Sequence, residues 1–360
     1  MRSVGIGAAA IGAGAWMRGT LAAAPVQATS QESALGPRHP GRVVEVIGPA
    51  AMAGGRASQD VVASMVERGL LELTGAPNLT AAWKQFVGPG DVVGLKVNTL
   101  SGPACSTRHE LVAVVIQGLA RAGVRESDIV IWDRFESHLR RARYAIQQRP
   151  GALRCYATDS PGVGGDLDVY YAADVTQLIP ESMKDQAAQP FAGAYPNSHF
   201  SAIFTRQITK QINLPVLKDH NITGMTLSLK NVAFGICGNT ERFHPTPINC
   251  DPMIGEVCAH PLVRSKNVLN IADCLNLIVE GGPIVDPQHL VEYGGLLFGT
   301  DPVAVDTIGL DILEQLRAAR RLPSLWNTSS PPKYLATAAR LALGVGDRRT
   351  IDHRMLRVPA

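Results

Sequence analysis

The chain has 360 residues, 46% of them hydrophobic, and its 34 basic and 31 acidic side chains leave a formal charge of only +3. So even a balance argues against a broad electrostatic footprint for nucleic acid, and the basic runs Arg140–Arg143 and Arg317–Arg321 read as solvated helix faces. The length can bury a substantial core, in one large domain or two joined lobes.

The chain opens on an apolar Gly/Ala-rich run, Val4 to Ala15, behind Arg2, and Val26-Gln-Ala28 offers a small-x-small cleavage site. This is the pattern of a secretory signal over residues 1–28, with the mature chain starting at Thr29. The run is too interrupted for a membrane span, and no stable span is expected after cleavage. Its mild Gly/Ala core is like that of twin-arginine signals but lacks the Arg-Arg pair, so translation is expected to start upstream of Met1. The expectation is an exported protein, periplasmic or extracellular, with the twin-arginine machinery as a partner; the alternative is an uncleaved anchor.

Residues 29–42 read as a linker, 43–346 as the α/β domain, and 347–360 as a tail. Val43–Ile47 is a predicted strand, and Ser58–Thr74 a helix burying Val61, Val62, Met65, Leu70 and Leu73. Asp91–Val97 and Ile129–Trp132 are strands around a helix that opens with the capping box Thr107-Arg-His-Glu110 and stops at Gly123, a βαβ unit. Residues 150–198 read as a loop-rich insertion with short strands. Further strands are expected at Ile203–Phe204, Gln211–Leu217, Val268–Ile271 and Leu296–Phe298. Pro302–Leu316 is a helix capped by Thr300 or Asp301, and Tyr334–Leu343 another. The fold class is therefore α/β: a mixed, largely parallel sheet flanked by helices, with a loop-rich middle insertion.

The richest stretch for chemistry follows the strand that ends at Leu217. Lys218, Asp219 and His220 close it, and Lys230 and Asn231 lie on the short helical pattern beyond. The carboxyl ends of strands are where open α/β sheets bind ligands. Lys96 and Asn98, Asp133, and Asp273 stand at the ends of other strands, so Lys96, His220 and Asp273 are expected around one cleft. The lysines would hold a small anionic substrate or cofactor. His220 would be the general acid or base, oriented by Asp219 or Asp273. Lys96 within an apolar strand needs an acidic partner; Asp306, on the core-facing stripe of its helix with Val303 and Leu310, is the first choice and Asp273 the second. Glu280 sits in the turn Glu280-Gly-Gly-Pro283, where glycine permits close backbone approach, though a plain surface turn fits equally. Arg242 could grip a phosphate or carboxylate with two prongs. His244, Cys250 and Asp251 mix groups that suit zinc or iron, but at irregular spacing, and a structural loop is the plainer reading.

Other chemistry is absent from the pattern. The six cysteines include no Cys-x-x-Cys, no G-x-G-x-x-G joins a strand to a helix, and no G-x-S-x-G elbow appears. Cys155 and Cys274 sit in apolar strands as small core residues.

A set of short blocks carries a family resemblance. Gly94-Leu-Lys-Val-Asn98, Ser106-Thr107, Lys218-Asp-His220, Leu227-Ser-Leu-Lys-Asn231, Phe234-Gly235, Asn249-Cys-Asp-Pro252, Ile271-Ala-Asp273, Glu280-Gly-Gly-Pro283 and Gly299-Thr-Asp-Pro-Val-Ala-Val-Asp306 run in order through the chain. Together they resemble the domain-of-unknown-function 362 family. The resemblance implies kinship over about residues 90–346 and little chemistry, since the family's activity is not established. Some relatives carry a fused ferredoxin-like segment with clustered cysteines; these blocks include none, so an iron–sulfur role does not transfer. The functional expectation is an exported enzyme using Lys, His and Asp acid–base chemistry. The competing expectation is a non-catalytic binding or redox-accessory protein with the same basic pocket.

Overall fold

The computed structural model describes residues 20–23, 36–173, 197–244 and 248–359. Its strands in chain order are β1 (Thr20–Ala23), β2 (Arg42–Ile47), β3 (Met52–Ala53), β4 (Arg56–Ala57), β5 (Val93–Lys96), β6 (Ile129–Asp133), β7 (Arg154–Ala157) and β8 (Gly165–Ala172). They continue with β9 (Asn197–Ser201), β10 (Lys210–Asn213), β11 (Val216–His220), β12 (Gly224–Thr226), β13 (Asn267–Ile278), β14 (Leu290–Gly299) and β15 (Asp352–Arg357). The helices are α1 (Gln59–Thr74), α2 (Leu79–Lys84), α3 (His109–Ala122), α4 (Glu136–Arg141), α5 (Ser228–Ile236), α6 (Met253–Ala259), α7 (Pro261–Lys266), α8 (Pro302–Ala319) and α9 (Tyr334–Arg340).

A ten-stranded sheet runs β15-β2-β14-β13-β10-β5-β6-β7, with β11 beside β13 and β12 paired to β11. The β10-β5-β6-β7 half is parallel, as are β10 and β11 on β13; β14 runs antiparallel to both of its neighbours. The α/β fold with a mixed, largely parallel sheet is the one expected. Alternation along the strands divides the core in two. Val44, Ile129, Ile131 and Ile271 pack on α1–α3, while Val43, Val130, Trp132 and Ala272 face the layer that includes α5 to α9. No helix of the described residues is long and apolar enough to cross a membrane.

The structure departs from the sequence reading in several places. Gln211–Leu217 is two strands, not one. Pro215 has no N–H for a ladder bond, so β10 ends at Asn213 and the chain re-enters further along β13 as β11. Ile203–Phe204 begins a π-helical turn closed by Ile208 N–H on the Ile203 carbonyl, since a short apolar pair does not distinguish strand from helix. The capping box does not form. Arg108 occupies the N-cap, and the Thr107 hydroxyl donates instead to the Leu214 carbonyl. Asp301 does cap α8, accepting from Val303 and Ala304 N–H. The supposed tail 347–360 contains β15, which pairs in parallel with β2 at the edge of the sheet. Within the supposed insertion, β7 belongs to the main sheet, while β8 forms a small separate sheet with β1 and β9. The proposed cleavage site and Val4–Ala15 lie outside the described residues. All six cysteines are free and buried.

Candidate functional site

The carboxyl ends of β5, β6 and β11 and the amino-terminal part of α5 converge on a cavity of about 230 Å³. Lys96, Asn98, Lys218, His220, Lys230, Asn231 and His244 all line it, joined by Asp133, Arg134 and Glu241.

Lys96 closes β5 and is 1% exposed. Its amine donates to the Val97 carbonyl at 2.6 Å, Asp133 Oδ1 at 2.8 Å and Asn231 Oδ1 at 3.3 Å. Its acid is thus Asp133 on the neighbouring strand, not Asp306 or Asp273. Burial works against the Asp133 charge, but Lys96, the Thr99 hydroxyl and Arg134 N–H overcome it and hold the carboxyl below its usual range. Gly235 makes room for this lysine: a Cβ there would stand 1.9 Å from Lys96 Cε.

Lys218 and His220 share one face of β11, and Asp219 takes the other. The Lys218 amine donates to Asn98 Oδ1 and Ser101 Oγ, both at 2.7 Å. Asn98 Nδ2 in turn donates to Asn231 Oδ1 at 2.9 Å, which ties the Lys218 pair to the Lys96 pair. Neither acceptor of Lys218 is charged, and burial pulls its amine down to about 8. Lys230 on α5 is 4% exposed, and its amine lies 5.1 Å from the Phe234 ring centroid. Among the described residues it makes no hydrogen bond or ion pair; burial, reinforced by the charge of Lys218, brings it to about 7.

The two histidines are fixed in opposite tautomers by their backbone partners. His220 Nδ1 accepts from Ile222 N–H at 3.2 Å, so its proton sits on Nε2. His244 Nδ1 faces the Glu241 carbonyl at 3.3 Å and must donate, so its Nε2 keeps a lone pair. The ring centroids are 6.4 Å apart. Burial and the nearby Lys230 charge push His220 well below its ordinary value and His244 down to about 4. Both rings are therefore neutral at physiological pH. A neutral His220 with Nε2–H offers a hydrogen bond rather than taking a proton, and the basic nitrogen belongs to His244.

The other sequence candidates lie elsewhere. Asp219 accepts from Gly282 N–H and meets Arg317 at 3.4 Å, so it does not orient His220. Asp273 stands mid-strand in β13 and accepts from Arg108 and Leu275 N–H; burial lifts it to about 6, but it does not reach the cavity. The expected cleft shared by Lys96, His220 and Asp273 thus forms without the aspartate. Asp306 accepts from Ser228 N–H at 2.6 Å and Leu229 N–H at 3.1 Å, capping α5 from another helix. Arg242 is buried and spends its guanidinium on Asn239 O, Ala173 O and Ser198 Oγ. Glu280 faces His289 at 3.6 Å, outside the cavity. Cys250 is a buried thiol pushed up to about 12 by burial, and Asp251 is likewise raised by burial. Among the described residues no three His, Cys, Asp or Glu side chains gather as a metal site would need, so His244, Cys250 and Asp251 do not form one.

Sequence reading missed Arg134 and Glu241, which pair at 3.0 Å across the cavity wall. Arg134 directly follows the strand-end Asp133, and that position was the one available signal.

No curated protein matches the chain. Among solved structures, a protein from Thermotoga maritima is 9% identical with a TM-score of 0.39, over 73% of this chain and 60% of that one. The lactate racemase apoprotein from Thermoanaerobacterium thermosaccharolyticum is 10% identical with a TM-score of 0.41, over 75% and 57%. The chain thus spans less than two thirds of the length of each. The family model described as a domain of unknown function, DUF362, matches residues 93–311, which include β5, β11 and α5 with all the cavity lysines, and the chain belongs to that family.

Proposed function

We propose that the protein is an enzyme that binds a small anion through Lys218 and Lys230 and transfers a proton at His244. The observation that carries this reading is the charge balance of the cavity wall. Lys96 is matched by Asp133 and Arg134 by Glu241, whereas Lys218 and Lys230 have no carboxylate partner among the described residues. The charge of Lys218 lowers the buried Lys230 amine, and a carboxylate or phosphate on Lys218 would hold the Lys218 amine protonated. Beside them His244 Nε2 supplies a base, and His220 Nε2–H a donor for a developing oxyanion, the two complementary parts of proton-transfer catalysis. Export remains part of the proposal, on the strength of Val4–Ala15 and Val26-Gln-Ala28; amino-terminal sequencing of protein recovered outside the cytoplasm should read from Thr29.

Calorimetric titration with acetate and with inorganic phosphate tests the anion site. Binding should be accompanied by proton uptake, seen as a buffer-dependent heat, and should weaken at least tenfold in Lys218→Met. Absence of binding by either anion in the folded protein would remove the proposal. Anion binding with no conversion of any small acid would reduce it to a binding protein.

A further inference from the structure

We infer that Lys230 is a nucleophilic amine that forms an imine with the carbonyl of a small 2-oxo acid. This rests on reading the cavity as an anion site and goes on to name the substrate class. The three lysines of the cavity stand in three different states. Lys96 is committed to three acceptors including a carboxylate, and Gly235 closes over its stem. Lys218 is held by two neutral oxygens, an arrangement that keeps a cation in place while leaving its charge unanswered. Lys230 alone carries an amine with no hydrogen-bond acceptor among the described residues, its nitrogen lying over the Phe234 ring.

A lysine becomes a nucleophile when burial and a neighbouring cation favour its free base. Lys230 has both: it is 4% exposed and shares the cavity with Lys218, and together they bring its amine down to about 7. Its helix is also rigidly set, because Asp306 holds the first two backbone N–H groups of α5 just ahead of it. Lys218 and Lys230 line one cavity of about 230 Å³, so a ligand that engages both must carry its anionic group and its electrophile close together. A 2-oxo acid has a carboxylate for Lys218 directly beside a carbonyl for Lys230.

The chemistry balances with the groups present. The Lys230 lone pair attacks the carbonyl carbon, forming C–N while the π pair moves to oxygen, which His220 Nε2–H stabilises. His244 Nε2 takes a proton from the new ammonium and returns it to that oxygen. The hydroxyl then leaves with one solvent proton as water, and the nitrogen lone pair closes the C=N bond. The products are a protonated imine and one water, with no change of oxidation state.

The test is reductive trapping on the full chain with pyruvate and borohydride, followed by intact-mass and peptide mapping. The expected result is a single reduced adduct on Lys230, suppressed by excess acetate, with exposed Lys84 and Lys333 unmodified. Mapping on the unaltered protein decides this without a variant; Lys230→Met, checked for folding by circular dichroism, should lose the adduct. Adduct spread over Lys84 and Lys333, or none while acetate still binds in a Lys218-dependent way, overturns the imine and leaves the anion site standing. Failure of both acetate and pyruvate to bind overturns the two together.

Discussion

Asp133→Asn tests the electrostatic frame of the cavity most directly. The amide is nearly isosteric, so the change removes charge more than volume. Lys96 would keep the Val97 carbonyl and Asn231 Oδ1 but lose its only anion, and the Thr99 hydroxyl and N–H would face an amide that can accept from fewer donors. Breaking a buried ion pair from one side costs about 3–5 kcal/mol. An independent ceiling comes from the lysine itself. If the stranded amine sheds its proton at pH 7, the cost is about 4.6 kcal/mol, at about 1.36 kcal/mol for each of the roughly 3.4 units below an ordinary lysine. The two figures agree, and the second carries a pH signature. A depressed folded-state value means that the unfolded chain binds the extra proton, so stability is regained as pH rises; at pH 9 the cost should fall to about 1.9 kcal/mol. Urea denaturation at pH 7 and pH 9, followed by far-UV circular dichroism and by fluorescence including Trp132, whose ring lies 5.7 Å from the amine, measures both points. Adding Lys96→Met should recover most of the loss. A cost equal at the two pH values, together with additivity in the double-mutant cycle, would refute the argument that Lys96 is a charge held by Asp133.

Other outcomes follow from the same geometry. Gly235→Ala should destabilise by about 1–3 kcal/mol by overpacking, and thermal melts should show that cost largely gone in a Lys96→Ala background. His244 has its folded-state value lowered from 6.5 to about 4, so the unfolded chain protonates first. Acidification through that window should therefore remove up to about 3 kcal/mol, and His244→Gln should flatten the urea midpoint between pH 7 and pH 4. Asp306→Ala leaves two buried N–H groups without acceptors, for a loss of about 2–6 kcal/mol; hydrogen exchange at Ser228 and Leu229 should accelerate, and the yield of trapped adduct on Lys230 should drop.

The fold was legible where periodicity was strong. Val62, Met65 and Leu70 on α1 and the continuous apolar run Ile129–Trp132 of β6 are local patterns set by the geometry of a single element. The cavity was legible in outline because strand ends in a parallel sheet gather on one side, and Lys96, Lys218, His220 and Lys230 are all there. What stayed hidden were choices made between elements. The sequence offered Asp306 and then Asp273 as partners for Lys96, and only the pairing of β5 with β6 brings Asp133 to it instead. Thr107-Arg-His-Glu110 has the residues of a capping box, but the Leu214 carbonyl claims the hydroxyl from a loop over a hundred positions away. The tautomers of His220 and His244 depend on the backbone groups of Ile222 and Glu241, which sequence spacing does not orient. The Asp352–Arg357 strand has mixed burial with exposed charges, the signature of a sheet edge, and edges give the weakest pattern.

That edge strand has a consequence for how the molecule is made. The ion pair of Arg42 with Asp352 and the β2–β15 ladder join positions some 310 residues apart. A contact of such long range forms late and slows folding, because the intervening chain must already be ordered before the ends can meet profitably. During synthesis β2 emerges early but waits for both of its neighbours, since β14 follows only at Leu290–Gly299 and β15 only at Asp352–Arg357. The side of β2 that β15 later covers is then an unpaired row of backbone donors and acceptors, open to pairing with another nascent chain. Closure of the sheet at this edge thus waits on the last of the described strands, and shortening the chain at Asp352 should tell first on the yield of soluble protein and only afterwards on the cavity more than half the sheet away.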